Sequence, residues 1–304
     1  MTEPTLEASA DLVATAREAA EAAAQVHRLH AGRVRIEEAS MKRASDFVSR
    51  VDLEAQEAAL AVIRDRFPEH EIMSEEEDGR TGPGSWEGAA TGPGLGSAAE
   101  PGSEAPHTAE APRFVWVVDP LDGTTNFLHG HPAYAASVGV LRGGEPVAGA
   151  VTAAATEERW WAGRGRGAFR NGEPIAVSRV RELALALVGS GFPFKWPELV
   201  PGYMAEFERV LSSTSGIRRG GSAALDLCYL AQGSLDAFWE AMLEPWDVAA
   251  GLAILYEAGG VATRKDGSEL RVGEGGSVLA ANGAQLMEEL RATVAGRGST
   301  RPGK

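Results

Sequence analysis

Asp119 and Asp122 stand three positions apart in VVDPLDGTTNF, residues 117–127, directly after an apolar run and directly before a glycine and two threonines. Pro120 resists simple continuation of a strand, and Asp122-Gly123 favours a turn. The sequence therefore predicts that Asp119 ends a strand and that both carboxylates converge beyond a sheet edge. Two adjacent carboxylates repel each other unless one is protonated or a cation lies between them. Oxygen donors without His or Cys suit a hard ion such as magnesium. A purely structural reading stays open at this point: a turn in which an aspartate caps a following helix.

Further acids stand at comparable places. Glu75, Glu76 and Glu77 follow the short apolar stretch EIMS, where the chain leaves a strand, and ligands gather at such strand ends in open sheets. Asp247 precedes the apolar helix VAAGLAILYEAGG, where it is placed either to cap the helix or to reach a metal. Gly123, Thr124 and Thr125 add backbone N–H groups and hydroxyls at an expected helix start, which favours an anion such as phosphate. Metal ligands and N–H donors in one place describe hydrolysis of a phosphate ester by a metal-activated water, with no side-chain nucleophile. Other chemistries fit less well. The aspartates lack the ligand spacing of a calcium loop. His129 and His131 have no cysteine beside them for a zinc site. GRGRG at 163–167 lacks the lysine of a nucleotide-binding loop and reads as a turn.

These residues need elements to hold them. Residues 8–30 are Ala-rich, with Leu12, Val13, Ala16, Ala20, Val26 and Leu29 at helical spacing. A second helix is expected with Asp52 as its N-cap and Leu53, Leu60, Ile63 and Phe67 on its buried face, before Pro68. EIMS and RFVWVVD read as strands. Residues 79–112 between them are rich in glycine and proline and almost free of aliphatic side chains, which marks an insertion or mobile loop. Residues 134–177 read as an antiparallel meander with turns at RGGEP, ATEE and RNGEP. From about 183 strands and helices alternate: LALALVGSG as a strand, a helix over 197–211, and Ser222 capping a helix that ends at Gly233. LDAFWE, GGVATR and SVLAA follow as strands, with helices over Trp246–Ala258 and after Asn282. The pattern divides the chain into residues 1–182, residues 183–295 and a tail, 296–304.

Composition narrows the function classes. The 304 residues carry a formal net charge of −14, which disfavours direct binding to nucleic acid and favours cationic partners. The single cysteine, Cys228, lies in the apolar stretch LDLCYLA and reads as a buried thiol. With an acidic N-terminus and no long apolar run, neither a secretory leader nor a membrane span is expected, and a cytoplasmic location is.

VWVVDPLDGTTNF and EPWDVAAGLAILYEAGG resemble the two signatures of the inositol monophosphatase family, magnesium-dependent and lithium-sensitive phosphatases whose wider superfamily includes fructose-1,6-bisphosphatase. SEEE, DFVSRVD and RRGGSAALDLCYLAQGSLDAFWE fall in the expected order, and the similarity covers residues 8–295 apart from the insertion. The resemblance implies an α+β or α/β fold, layered α-β-α-β-α, and a homodimer. It implies two or three magnesium ions: Glu75, Asp119 and the carbonyl of Leu121 at the first, Asp119, Asp122 and Asp247 at the second, and Glu75 at a weaker third. Thr124 with Glu75 would orient the attacking water, the Gly123 and Thr124 amides would touch phosphate, and Asp46 and Glu76 would act from the surroundings. Gly221, Ser222, Ala223 and Glu240 would line the alcohol end together with Asp122 and Asp247. The expected substrate is a phosphorylated polyol, myo-inositol-1-phosphate foremost. Histidinol phosphate, fructose-1,6-bisphosphate or a nucleotide 3'-phosphate are alternatives, as is a regulatory binding protein on the same fold. For a second phosphate, Arg218 and Arg219 are the conspicuous cations. Ser49 stands where the family usually has threonine, and the 79–112 segment is longer than the usual link.

If that segment is a solvated loop, deleting residues 84–108 leaves the melting temperature of the protein unchanged. A large fall in the melting temperature would show that it packs.

Overall fold

The computed structural model describes residues 6–43, 46–76 and 113–297. The expected insertion at 79–112, with Glu77, lies outside the described residues. The chain opens with α1 (Leu6–His30), a hairpin of β1 (Ser40–Arg43) and β2 (Asp46–Val48), α2 (Arg50–Arg66) and β3 (Glu71–Ser74). Then come β4 (Phe114–Asp122), the short α3 (Thr124–Leu128), and the meander β5 (Ala135–Arg142), β6 (Glu145–Ala153), β7 (Glu158–Gly163), β8 (Gly167–Arg170) and β9 (Glu173–Ile175). The rest comprises β10 (Leu187–Ser190), α4 (Val200–Ser213), β11 (Gly216–Arg218), α5 (Ala223–Ala231), β12 (Ala237–Leu243), α6 (Pro245–Glu257), β13 (Val261–Thr263), β14 (Gly276–Ala281) and α7 (Ala284–Val294).

Strands β3 to β9 form one seven-stranded sheet in sequence order, antiparallel except for the β3–β4 pair. The second sheet has the order β11-β10-β12-β14-β13. Alternation along β4 shows how the layers arise. Trp116 and Val118 pack with α1 and α2, whereas Val115 and Val117 pack with α5 and α6. On β12, Phe238 faces the same central helices and Trp239 faces the outer pair, α4 and α7. Two helices, a sheet, two helices, a sheet and two helices give the layered α-β-α-β-α arrangement expected from the sequence.

The central layer is close because of glycine. A Cβ at Gly139 of β5 would lie 2.6 Å from Ala249 Cβ, and one at Gly149 of β6 would lie 2.7 Å from the Cα and carbonyl oxygen of Ala250. The absence of side chains there lets α6, which carries Asp247, lie directly on the first sheet.

Several local expectations change. The N-cap of α2 is Ser49, and Asp52 is the third residue of the helix, whose Oδ2 accepts from Ser49 N at 2.8 Å. This is the reciprocal pattern of a capping box, in which the acid stands three residues inside the cap. Leu53 and Leu29, placed on buried faces by spacing, are 52% and 61% exposed. Strand β4 does not end at Asp119. It runs on through Pro120 to Asp122 with a register shift against β5, and the bulge removes the ladder position at which proline would need an N–H. LALALVGSG splits into a 3₁₀ turn, Leu183–Leu185, and β10. The β1–β2 hairpin and β11 are additional short elements. Cys228 is buried as expected. Among the described residues, no helix is long and apolar enough to cross a membrane.

Placing a methyl group at Gly149 forces α6 off the sheet. Gly149→Ala is expected to lower unfolding free energy by about 1–3 kcal/mol, the scale of overpacking, measurable by urea denaturation. Native-like stability of that variant would contradict the close approach.

Candidate active site

The ends of β3 and β4 bring the first acids together. Ser74 pairs in parallel register with Val118, and Glu75 N donates to the Val118 carbonyl at 3.2 Å, which sets Glu75 beside Asp119. The turn holding the glutamates is pinned from α2 by Gln56 Oε1, which accepts from Ser74 Oγ and from Glu76 N (3.1 Å). Asp119 is buried, and its Oδ1 accepts from Leu121 N at 3.0 Å. Asp122 is also buried, and its Oδ2 accepts from Ser222 Oγ (2.6 Å) and Ala224 N (2.8 Å), so β4 is tied to the start of α5. Asp247, the third residue of α6, is half-buried and accepts from Glu244 N at 2.7 Å. Capping is therefore part of its role.

Electrostatics place these groups in one neighbourhood. Burial, then Glu75, Asp122 and Asp247, push the Asp119 carboxyl well above the usual range. Asp122 is pushed up to about 6, by burial first and despite its bonds from Ser222 and Ala224. Burial and then Asp122 raise Asp247, with Lys195 partly offsetting them. Each of the three aspartates is anchored through one oxygen, Asp119 and Asp247 by a nearby backbone N–H and Asp122 by Ser222 and Ala224 at the start of α5. Among the described residues, no three His, Cys, Asp or Glu side chains are drawn into a closed metal-binding group. Like charges held only by their own tethers stay apart, and a set of oxygen donors that raise one another's proton affinity fits a hard divalent cation.

Thr124 opens α3 after Gly123, whose φ of +92° and whose closeness to the Ala133 carbonyl, 2.8 Å from a would-be Cβ, admit no side chain. Thr124 Oγ1 lies 2.9 Å from Asp52 Oδ1 and 3.0 Å from the Leu121 carbonyl. Asp52 is fully buried and also accepts from Ser49 Oγ at 2.6 Å. Burial raises its pKa, the bonds from Ser49 and Thr124 pull it back, and Glu75 pushes it up again. Sequence reasoning gave Asp52 only a capping role. The S-x-x-D spacing of Ser49 and Asp52 was the available signal for its place inside the helix, but its bond to Thr124 crosses 72 residues and had none. Asp46 opens β2, paired with Arg43.

Asn126 closes the site from below, its Nδ2 donating to the carbonyls of Ala133 (2.6 Å) and Gly220 (3.0 Å). The loop through Gly221 thus lies against the DGTTN turn, and Ser222 caps α5 by accepting from Leu225 N at 3.3 Å, with Ala223 as its first residue. Glu240, on the Phe238 side of β12, occupies the space left by Gly191, where a Cβ would sit 1.8 Å from Glu240 Oε1. It lies deep in the molecule yet keeps part of its surface open to solvent. Burial raises its pKa well above the usual range, followed by Asp226, Asp247 and Asp122, with Arg219 opposing. Asp226, on α5, is a further buried acid that spacing did not single out, and its pKa is raised by burial and then by Asp122. Arg219 rests over the rings of Phe192 (5.6 Å) and Phe194 (5.5 Å). Arg218 turns back to the carbonyl of Ile217. His129 and His131 are exposed, and His131 Nδ1 accepts from Ala133 N at 3.3 Å. A separate concavity of about 530 Å³ lies between α1 and the β7–β8 hairpin, but its lining, including Arg17, Trp161 and Phe169, contains no acid.

The family model of the inositol monophosphatase family matches residues 8–298. The chain is similar to the Nus factor SuhB of Pseudomonas aeruginosa, with 39% identity over 243 residues, 79% of this chain and 80% of the relative. It is also similar to the fructose-1,6-bisphosphatase/inositol-1-monophosphatase of Aquifex aeolicus, with 37% identity over 248 residues, 82% of this chain and 83% of the relative. Among solved structures, the inositol monophosphatase from Anabaena (Nostoc) sp. PCC 7120 superposes with a TM-score of 0.77 at 32% identity, covering 94% of this chain and 96% of that one. The chain belongs to the inositol monophosphatase family, a family of metal-dependent phosphatases.

Proposed function

We propose that this protein hydrolyses phosphate monoesters with magnesium, and that myo-inositol-1-phosphate is its foremost substrate. The observation that carries this reading is the placement of Glu75 beside Asp119 at the ends of β3 and β4, followed directly by Asp122 and by Thr124, whose hydroxyl bonds Asp52. Glu75, Asp119 and the Leu121 carbonyl would hold one ion, Asp119, Asp122 and Asp247 a second, and Glu75 a weaker third. When bound, the ions supply positive charge that acidifies water and stabilises the leaving oxygen. Thr124 Oγ1 donates its hydrogen to Asp52 Oδ1, which leaves the oxygen lone pairs to accept from a water and orient it together with Glu75. Asp46 and Glu76 would act from the surroundings. The Gly123 and Thr124 amides would face the phosphate. At the other end, Glu240 would accept from substrate hydroxyls, with Gly221, Ser222 and Ala223 shaping the wall and Asp122 and Asp247 completing it.

Within the superfamily, fructose-1,6-bisphosphate is the nearest alternative. The name of the Aquifex aeolicus relative and the position of Arg219 near Glu240 favour it over histidinol phosphate and nucleotide 3'-phosphates. A second reading, a regulatory binding role, is favoured by the name Nus factor given to the Pseudomonas aeruginosa relative. A homodimer, lithium inhibition and a cytoplasmic location belong to the first reading.

Phosphate release from a panel of these four esters, with and without magnesium, tests the assignment. Asp119→Asn is expected to cost about 3–4 kcal/mol of transition-state stabilisation, roughly a hundredfold or more in turnover, the scale of losing a preorganised electrostatic contact. No magnesium-dependent release from any ester would instead favour the binding role.

Thr124→Val keeps the volume and removes the hydroxyl, so its kcat is expected to fall about 10²-fold, while Thr124→Ser stays near native. Native kcat in the valine variant would remove Thr124 from the mechanism.

A further inference from the structure

In the bulge that carries the acids, Leu121 finds its partners nearby, in Asp119 Oδ1 and Thr124 Oγ1, whereas the Pro120 carbonyl is satisfied from farther away. The β4–β5 ladder pairs Asp119 with Ser137 and Asp122 with Ala135, and Pro120 and Leu121 fall in the irregular step between those pairs. The Pro120 carbonyl meets His27 Nε2 at 2.8 Å, a contact spanning 93 residues of sequence. His27 comes from α1, is fully buried, and packs against Tyr134 (ring centroids 5.8 Å, edge-on) and Phe127 (6.1 Å, tilted). Those two rings follow the DGTTN turn in sequence, pack in one cluster with Leu121, and meet edge-on at 5.0 Å. The three rings therefore form one aromatic cluster beside the bulge.

The chemistry of the ring decides its role. Burial lowers the His27 pKa to about 4, so the imidazole is neutral near pH 7 and only one nitrogen carries hydrogen. A carbonyl partner at Nε2 requires the hydrogen there, and this leaves Nδ1 as a bare acceptor. Nδ1 is buried and, among the described residues, has no hydrogen-bond partner. An apolar side chain of similar size would fill the same space without an unpaired nitrogen. Packing alone therefore does not account for histidine at this position, whereas a directed N–H does.

We propose that His27 is a positioning residue for the metal site: by donating Nε2–H to the Pro120 carbonyl it fixes the bulge that sets Asp119, the Leu121 carbonyl and Asp122 relative to one another. The inference rests on the site reading proposed above. The His27 side chain bonds to the Pro120 carbonyl and so acts through the peptide between the acids. Its effect is on how well the donors are preorganised for the ion, as partners behind metal ligands generally act.

Calorimetric titration of the full chain with magnesium, together with its melting temperature, tests this in His27→Leu and His27→Gln. Leucine fills the space without a donor, and the glutamine amide nitrogen reaches about as far as Nε2. The leucine variant is expected to remain folded and to bind magnesium about 10-fold or more weakly, whereas glutamine recovers most of the affinity. A folded leucine variant with native magnesium affinity overturns the proposal, as does a glutamine variant that is no better than leucine. If leucine prevents folding, His27→Asn replaces it: the shorter amide falls short of Pro120, so weaker binding than glutamine supports the proposal and equal binding overturns it. A native protein that binds no magnesium would overturn the site reading itself, an outcome distinct from native binding that the substitutions leave unchanged.

Discussion

The repulsion among buried carboxylates in the central layer is the constraint around which the rest of the structure is arranged. Asp119, Asp122 and Asp247 come from two elements that the fold presses together, and each raises the energy of ionising another. A chain folding for stability alone would not gather them. Every feature near them limits that cost: Asp122 takes donors from Ser222 and Ala224 at the start of α5, Asp247 accepts from the entry of α6, and Asp119 accepts from the chain of its own turn. These bonds hold the acids in place but leave the net negative charge, which a cation or a bound proton must offset.

The layers supply the positions. Alternation on β4 and β12 sends Asp119 and Glu240 toward the same central helices, and glycines on β5 and β6 let α6 approach closely enough for Asp247 to join them. The second set of groups, Thr124 with Asp52, is fixed from α2 and stands beside the acids. The acidic face is thus assembled from α2, the β3 and β4 ends, and the N-terminal ends of α5 and α6. From α1, Ala24 packs in one cluster with Leu121 and Phe127, and His27 adds a hydrogen bond to the bulge.

Much of this was legible in the chain. The strand before DPLDGTT, the meander and the alternation beyond residue 183 follow from period-two patterns and turn residues, and the acidic groups stood out by type and spacing. What escaped was what depends on contacts distant in sequence. Asp52 shows a helix-capping pattern locally, while its bond to Thr124 exists only after folding. His27 looks like one polar residue on an Ala-rich helix, and Asp226 like one acid among many. Pro120 suggested a strand end because sequence cannot show that a bulge absorbs it. Leu29 and Leu53 had the right spacing but lie beyond the edges of the buried faces, where helical period alone does not separate contact from exposure.

The central claim, that the acid cluster is a strained set of donors for a hard cation, is tested most directly by melting temperature against magnesium concentration in the native protein and in Asp119→Asn. Without magnesium, the variant is expected to melt above the native protein because a repelling charge is gone. With rising magnesium, the native protein is expected to gain stability as a binding linkage requires, while the variant gains little. A native melting temperature indifferent to magnesium, or a variant that melts lower without magnesium and responds as strongly with it, would contradict the account.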